Sequence, residues 1–338
     1  MKLVLRIFVL LSMTQLGFAA ATKESNSDMK KVLTELDNKK GKPIAELTAA
    51  EARMQPTPAD AIKSLMTDNQ KKKSEDGFEK IEDKLISGAG AQIPVRIYTP
   101  VGKTPMPVIV FYHGGGWVIG SKDVYDGSAR ALAVQAKAIV VSVDYRLAPE
   151  HKFPIAHDDS FAAYKWVLEN AKTFGGNPEK IAVAGESAGG NLAVNVSIKA
   201  RDEKIKMPVH QLIIYPVASS AMNSESYEIN KYAKPLNKPM MSWFMKNYLN
   251  SPEEAKDTRI NLVAANFKDL PEATIITAEI DPLQSEGKEL AELMKKQGVK
   301  VNFKNYSGVT HEFFGMAAVV KEAADAQKFA ARELKQSF

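Results

Sequence analysis

The chain has 338 residues, enough for one large α/β domain or two ordinary ones, and 45% hydrophobic with 25% charged residues is an ordinary globular composition. Its net charge of +5 falls to +3 if Lys2 and Arg6 leave with an N-terminal leader, too mild to suggest nucleic acid as a partner. With no cysteine, disulfides, thiolate chemistry and a lipid-attachment cysteine are all excluded, so stability rests on the core alone.

Residues 1–21 read as a secretory signal peptide: a basic start, an apolar stretch from Ile7 to Phe18, then Ala19-Ala20-Ala21. About 12 apolar residues are too few for a bilayer that needs about 20, so no stable membrane anchor is expected. Export to the periplasm or the medium follows, with cleavage after Ala19 or Ala21. Residues 22–75 are polar and lysine-rich, and Pro43, Pro56 and Pro58 divide them into short helices. The run Lys71-Lys72-Lys73 lacks interleaved aromatics and reads as solvated surface.

From about residue 92 strands alternate with helices. Apolar, β-branched runs at 107–112, 138–143, 181–184, 211–215, 273–278 and 299–306 predict strands. Amphipathic stretches near 127–137, 158–171, 188–203, 284–297 and 317–335 predict the helices between and after them. Near-continuous apolar strands separated by helices predict a mostly parallel sheet covered on both faces, an α/β fold. Residues 218–262 interrupt the rhythm with Met240-Met241-Ser-Trp243-Phe244-Met245. That segment either completes the core or joins the N-terminal helices as a lid.

Gly185-Glu186-Ser187-Ala188-Gly189 sits between one predicted strand and a helix, the strand–turn–helix context of a nucleophile elbow. The turn is so tight that residues two before and two after Ser187 must be small. A serine nucleophile needs a base, and the base needs a partner that fixes its tautomer. Of the five histidines only His210 and His311 follow Ser187. His210 directly precedes an apolar strand and suits a structural role. His311 lies in a loop after the last strand, which makes it the expected base. Asp281, at the end of the preceding strand and stiffened by Pro282, is the expected acid, with Glu279 and Glu286 as rivals. His113-Gly114-Gly115-Gly116-Trp117 follows the strand at 107–112, and its bare backbone suits an oxyanion hole. The alternative, a phosphate-cradling nucleotide loop, is disfavoured, because neither the G-x-G-x-x-G spacing nor a Lys-Ser/Thr sequel is present.

Together with Val143-Asp-Tyr-Arg-Leu-Ala-Pro-Glu-His151, Phe153-Pro154, Asp281-Pro-Leu283 and His311-x-Phe313, these motifs make residues 92–335 resemble the hormone-sensitive lipase family of α/β-hydrolase esterases. The resemblance implies that Gly115, Gly116 and Ala188 donate oxyanion N–H groups while His113 shapes the loop. It implies scaffold roles for Tyr145, Arg146 and Glu150 beneath the site, and a cap built from about 22–75 and 218–262 on a single domain over 22–338. Two departures stand out: Glu186 where this branch usually has Asp, and Glu312 where it has Gly, the latter adding negative charge beside His311.

The expected activity is hydrolysis of carboxylic esters, with short acyl chains, by a Ser187–His311–Asp281 triad through an acyl-enzyme. No metal or cofactor is implied. The expected partner is a small-molecule ester, with a possible homodimer as the assembly. An amidase or peptidase on the same scaffold shares the triad. A non-catalytic small-molecule receptor should have lost a triad member, and none is lost.

Overall fold

The computed structural model describes residues 23–338, so the leader expected over 1–21 lies outside the described residues. The N-terminal stretch forms the short helices α1 (Ser27–Asn38), α2 (Ala49–Arg53), α3 (Pro58–Leu65) and α4 (Asp68–Glu75). Thr48 and Thr57 cap α2 and α3 in reciprocal capping boxes with Glu51 and Asp60, and Pro58 occupies the first turn of α3 where its missing N–H costs nothing.

Eight strands follow: β1 (Phe78–Ser87), β2 (Gln92–Pro100), β3 (Met106–Tyr112), β4 (Ile139–Val143), β5 (Gly176–Glu186), β6 (Gln211–Ile214), β7 (Ala273–Ile280) and β8 (Val301–Thr310). They form one sheet in the order β1-β2-β4-β3-β5-β6-β7-β8. Strands β4 to β8, with β3 among them, run parallel, while β2 is antiparallel to both β1 and β4. The strand runs read from the sequence begin at 107 and so miss β2 and, most completely, β1. That strand carries Glu79, Lys80, Glu82, Asp83 and Lys84 and is largely exposed, so it lacks the apolar signature. Charge on an edge strand is how a sheet discourages pairing with another chain.

The interior strands are sorted by their period of two. In β3, Val108, Val110 and Tyr112 face one core, while Ile109 and Phe111 face the other. Helices α6 (Ile155–Asn170), α7 (Ala188–Asp202) and α10 (Gln284–Lys296) cover the first face; α5 (Asp126–Ala136) and α11 (Lys321–Ser337) pack together on the second. Helix α11 starts at Lys321, later than the pattern at 317–335 suggested, because Phe313–Met316 forms a separate short 3₁₀ turn. Between β6 and β7 the chain makes α8 (Glu225–Ile229) and α9 (Lys238–Tyr248). The α9 residues Met241, Trp243, Phe244, Met245 and Tyr248 are buried against the core that holds Trp117, and Tyr248 stacks on Trp117 with centroids 4.5 Å apart.

Candidate active site

Strand β5 ends at Glu186, helix α7 begins at Ala188, and Ser187 alone makes the turn, with φ 56° and ψ −118°. An L-residue holds such a conformation only where its surroundings impose it. Here the Ser187 N–H is tied to the Ile214 carbonyl at 2.9 Å, and the backbone closes in so far that a Cβ on Gly189 would lie 2.0 Å from the Tyr112 carbonyl oxygen. Small residues around the serine are therefore a steric requirement, as the sequence indicated.

The parallel register brings the carboxyl ends of β5, β7 and β8 to one edge, and the three chemistry-bearing side chains meet there. Asp281 Oδ2 accepts from His311 Nδ1–H at 2.6 Å, and Leu283 N–H holds Asp281 Oδ1 at 2.9 Å. With Nδ1 carrying the proton, Nε2 is the unprotonated acceptor, and it stands 2.9 Å from Ser187 Oγ. All three residues are buried. Burial works against the imidazolium, but the Asp281 charge and hydrogen bond, followed by Glu312 and Glu186, outweigh it and raise the His311 pKa.

The rivals hold the frame together instead. His210 lies at the opposite end of the sheet, buried between Thr274 Oγ1 at 2.9 Å and Ser337 Oγ at 3.0 Å, and burial lowers its pKa to about 4. Glu279 accepts from the Gly308 N–H at 2.9 Å and pairs with Lys23 at 2.8 Å, fixing the start of the described chain against β8. Glu286 Oε1 accepts from the backbone N–H groups of Ala218 and Ser219 at 2.8 and 3.2 Å, which orders the turn behind Ser187.

The glycine loop after β3 faces Ser187. His113 is buried, bonded through Nδ1 to the Gly114 carbonyl at 2.7 Å and stacked on Tyr145 at 4.3 Å, so it shapes the loop. Tyr145 adds a hydrogen bond to the His113 carbonyl at 2.8 Å, and Arg146 grips the buried Asp159 at 2.7 Å. The N–H groups of Gly115 and Gly116 make no hydrogen bond to the protein among the described residues, and both glycines line the same cavity as Ser187. Ala188 opens α7, where its N–H has no intrahelical acceptor. These are the three N–H groups that the family resemblance implied as oxyanion donors.

Further contacts emerge only in space, several through residues outside any motif, Arg53, Tyr125 and Tyr215 among them. Glu150 reaches outward to Arg53 of α2 at 2.7 Å, and Arg53 also bonds the carbonyls of Val118 and Ala148, so it pins the N-terminal helices to the main body. Trp243 donates its indole N–H to the Leu47 carbonyl at 2.9 Å. Tyr215 donates to Glu186 Oε2, and burial pushes the Glu186 carboxyl up to about 7. Tyr125 donates to Glu312 Oε1 at 3.0 Å.

Above Ser187 lies a cavity of about 690 Å³. Ser187, His311, Gly115 and Gly116 form its floor, while residues from 36–58 and 232–244 complete its walls and roof. Phe244 lies so close over Gly116 that a Cβ there would be 2.2 Å from the ring.

A strained serine at a strand–helix turn with an Asp-oriented histidine beside it, on this sheet, defines a serine hydrolase of the α/β type. Residues 109–315 match a family model described as alpha/beta hydrolase fold. Carboxylesterase NlhH of Mycobacterium tuberculosis strain H37Rv is 42% identical over 253 residues, covering 73% of this chain and 79% of that protein. A thermostable esterase of Pseudomonas putida ECU1011 superposes with a TM-score of 0.85 at 29% identity, over 94% of this chain and 99% of that one. The hyperthermophilic esterase of Pyrobaculum calidifontis gives 0.76 at 37% identity, over 81% and 93%. The chain belongs to the hormone-sensitive-lipase-like family of α/β-hydrolase serine carboxylesterases.

Proposed function

We propose that the protein hydrolyses small carboxylic esters by a two-step acyl-enzyme mechanism with Ser187, His311 and Asp281 as the triad. The observation that carries this reading is the continuous chain from Asp281 Oδ2 through His311 to Ser187 Oγ, opening on a cavity of about 690 Å³. Ser187 Oγ attacks the ester carbonyl carbon as His311 Nε2 takes its proton. The N–H groups of Gly115, Gly116 and Ala188 receive the charge that develops on the carbonyl oxygen. Collapse of the tetrahedral intermediate breaks the ester C–O bond, and His311 gives its proton to the departing alcohol. Water then attacks the acyl carbon as His311 takes its proton, the acyl C–Oγ bond breaks to release the acid, and His311 returns the proton to Ser187 Oγ. Asp281 stays ionised throughout and stabilises the imidazolium.

The helices of 22–75 and the 218–262 segment act as a cap that keeps bulk water from the acyl-enzyme and limits the acyl chain. Its fit over the cavity, with Phe244 on Gly116 and Arg53 and Trp243 as ties, supports this role. Ser187→Ala, Asp281→Asn and His311→Ala should each lower turnover of p-nitrophenyl butyrate by roughly 10⁴ with the circular dichroism spectrum unchanged. Near-normal activity in His311→Ala alongside loss in His210→Ala would refute the assignment of the base. An anilide assayed in parallel separates ester from amide hydrolysis. The leader pattern at 1–21 further supports export, and the intact mass of natively expressed protein tests it: a mature chain starting at Ala20 or Thr22 is expected, and an uncleaved Met1 refutes it.

A further inference from the structure

Glu312 follows the base directly and holds a left-handed backbone, φ 66° and ψ 8°, which side chains other than glycine adopt only at a cost. Its carboxyl is drawn into the cavity wall beside Ser187 and His311. There Oε1 accepts from Tyr125, a buried residue whose hydroxyl sits over Gly114 of the glycine loop, and no other protein group donates to the carboxyl among the described residues. Two other charges in the cavity wall are taken up by partners: Asp37 pairs with Lys234 at 2.6 Å and Arg53 with Glu150 at 2.7 Å. A carboxyl with spare acceptor capacity in the wall of the cavity favours a ligand that brings a donor.

The reaction geometry says which half of the ester passes it. His311 Nε2 must protonate the leaving oxygen, so the alcohol lies against the wall that begins with His311 and continues into Glu312. The apolar part of the lining, Gly116 beneath Phe244 with Met240 and Ile44, suits the acyl chain. We infer that Glu312, braced by Tyr125, is a specificity-determining residue for the alcohol half of the substrate. It selects esters whose alcohol carries a hydrogen-bond donor, a hydroxyl or a protonated amine, a few bonds from the ester oxygen. The inference rests on the ester-hydrolase reading above.

A matched pair of esters isolates the effect. 2-Hydroxyethyl butyrate and propyl butyrate share the acyl group and differ only by a hydroxyl in place of a methyl. The wild-type kcat/KM should favour the hydroxyethyl ester by about tenfold, the difference one hydrogen bond makes. Glu312→Gly removes the acceptor while its backbone takes the left-handed turn without strain, and the ratio should fall to about one. Glu312→Gln keeps an acceptor without the charge and should fall between. Because each ratio compares two esters on the same variant, any general effect on His311 cancels. An equal wild-type rate on both esters, or a preference that survives in Glu312→Gly, overturns the subsite while the esterase reading stands. A folded wild-type enzyme inert toward both esters overturns the two together.

Discussion

Phe244 offers the sharpest test of how the cavity sets acyl-chain length. Its ring is 2% exposed, lies over Gly116 and meets Trp243 edge-on with centroids 5.4 Å apart. Phe244→Ala removes this plug from the acyl side while leaving Ser187, His311 and the glycine loop in place. Each methylene that enters newly opened apolar space gains about 0.8 kcal/mol, roughly a factor of four in kcat/KM. Once the space is filled, overpacking by one further methylene costs about 1–3 kcal/mol and the trend reverses. A series of p-nitrophenyl esters from C2 to C16 should thus show the wild-type optimum within about C2 to C8 and the variant optimum two or more carbons longer. Truncating so buried a ring also costs about 3–5 kcal/mol of stability, so the series is run well below the variant's melting temperature. Trp243→Ala is the control: its indole bonds the Leu47 carbonyl instead of lining the cavity, so stability should fall without a comparable shift in optimum. Superimposable chain-length profiles for Phe244→Ala and wild type would refute the reasoning. So would wild-type activity that climbs to C16 and jumps at an emulsion interface.

Three further expectations concern charge and the ties of the N-terminal helices. The base must be neutral to act, and the His311 pKa is raised, so kcat/KM should fall with decreasing pH at a value above the 6.5 of a free imidazole; Glu312→Gln removes one of the raising charges and should move that limb to lower pH. Glu186 has its pKa pushed up to about 7 from 4.5, so its buried neutral form stabilises the fold below 4.5 and that contribution is lost as pH rises to 7. Up to about 3 kcal/mol is at stake, and Glu186→Gln should flatten the difference in urea midpoint between pH 5 and pH 8; an unchanged difference would show the carboxyl to be ionised throughout. Arg53→Ala leaves the Val118 and Ala148 carbonyls without their donor and should cost about 1–3 kcal/mol by urea unfolding, whereas an unchanged midpoint would mean that Arg53 does not tie α2 to the main body.

The sequence by itself determined the parallel centre of the sheet, the helices that cover it and the residues to look for at its edge. Those elements are legible because their signals are local: β-branched runs of strand length, small residues that only a tight elbow requires, and an acid and a histidine each placed just after a strand. The edge strand β1 escaped because an exposed strand has no need of an apolar pattern. What only the tertiary structure decided is which of several similar residues came together. His210 and His311 are equally histidines after Ser187, but the register carries one to the amino end of the sheet and the other to within 2.9 Å of Ser187 Oγ. The same holds for Asp281 against Glu279 and Glu286, three acids within eight residues that serve three different ends. The second layer was hidden for the same reason: Arg53 meets Glu150 across 97 positions and Trp243 meets Leu47 across 196, and no local pattern records such contacts. A side chain's role at this edge is fixed by where the packed sheet and helices place it, since pKa, tautomer and reach all depend on neighbours distant in the chain.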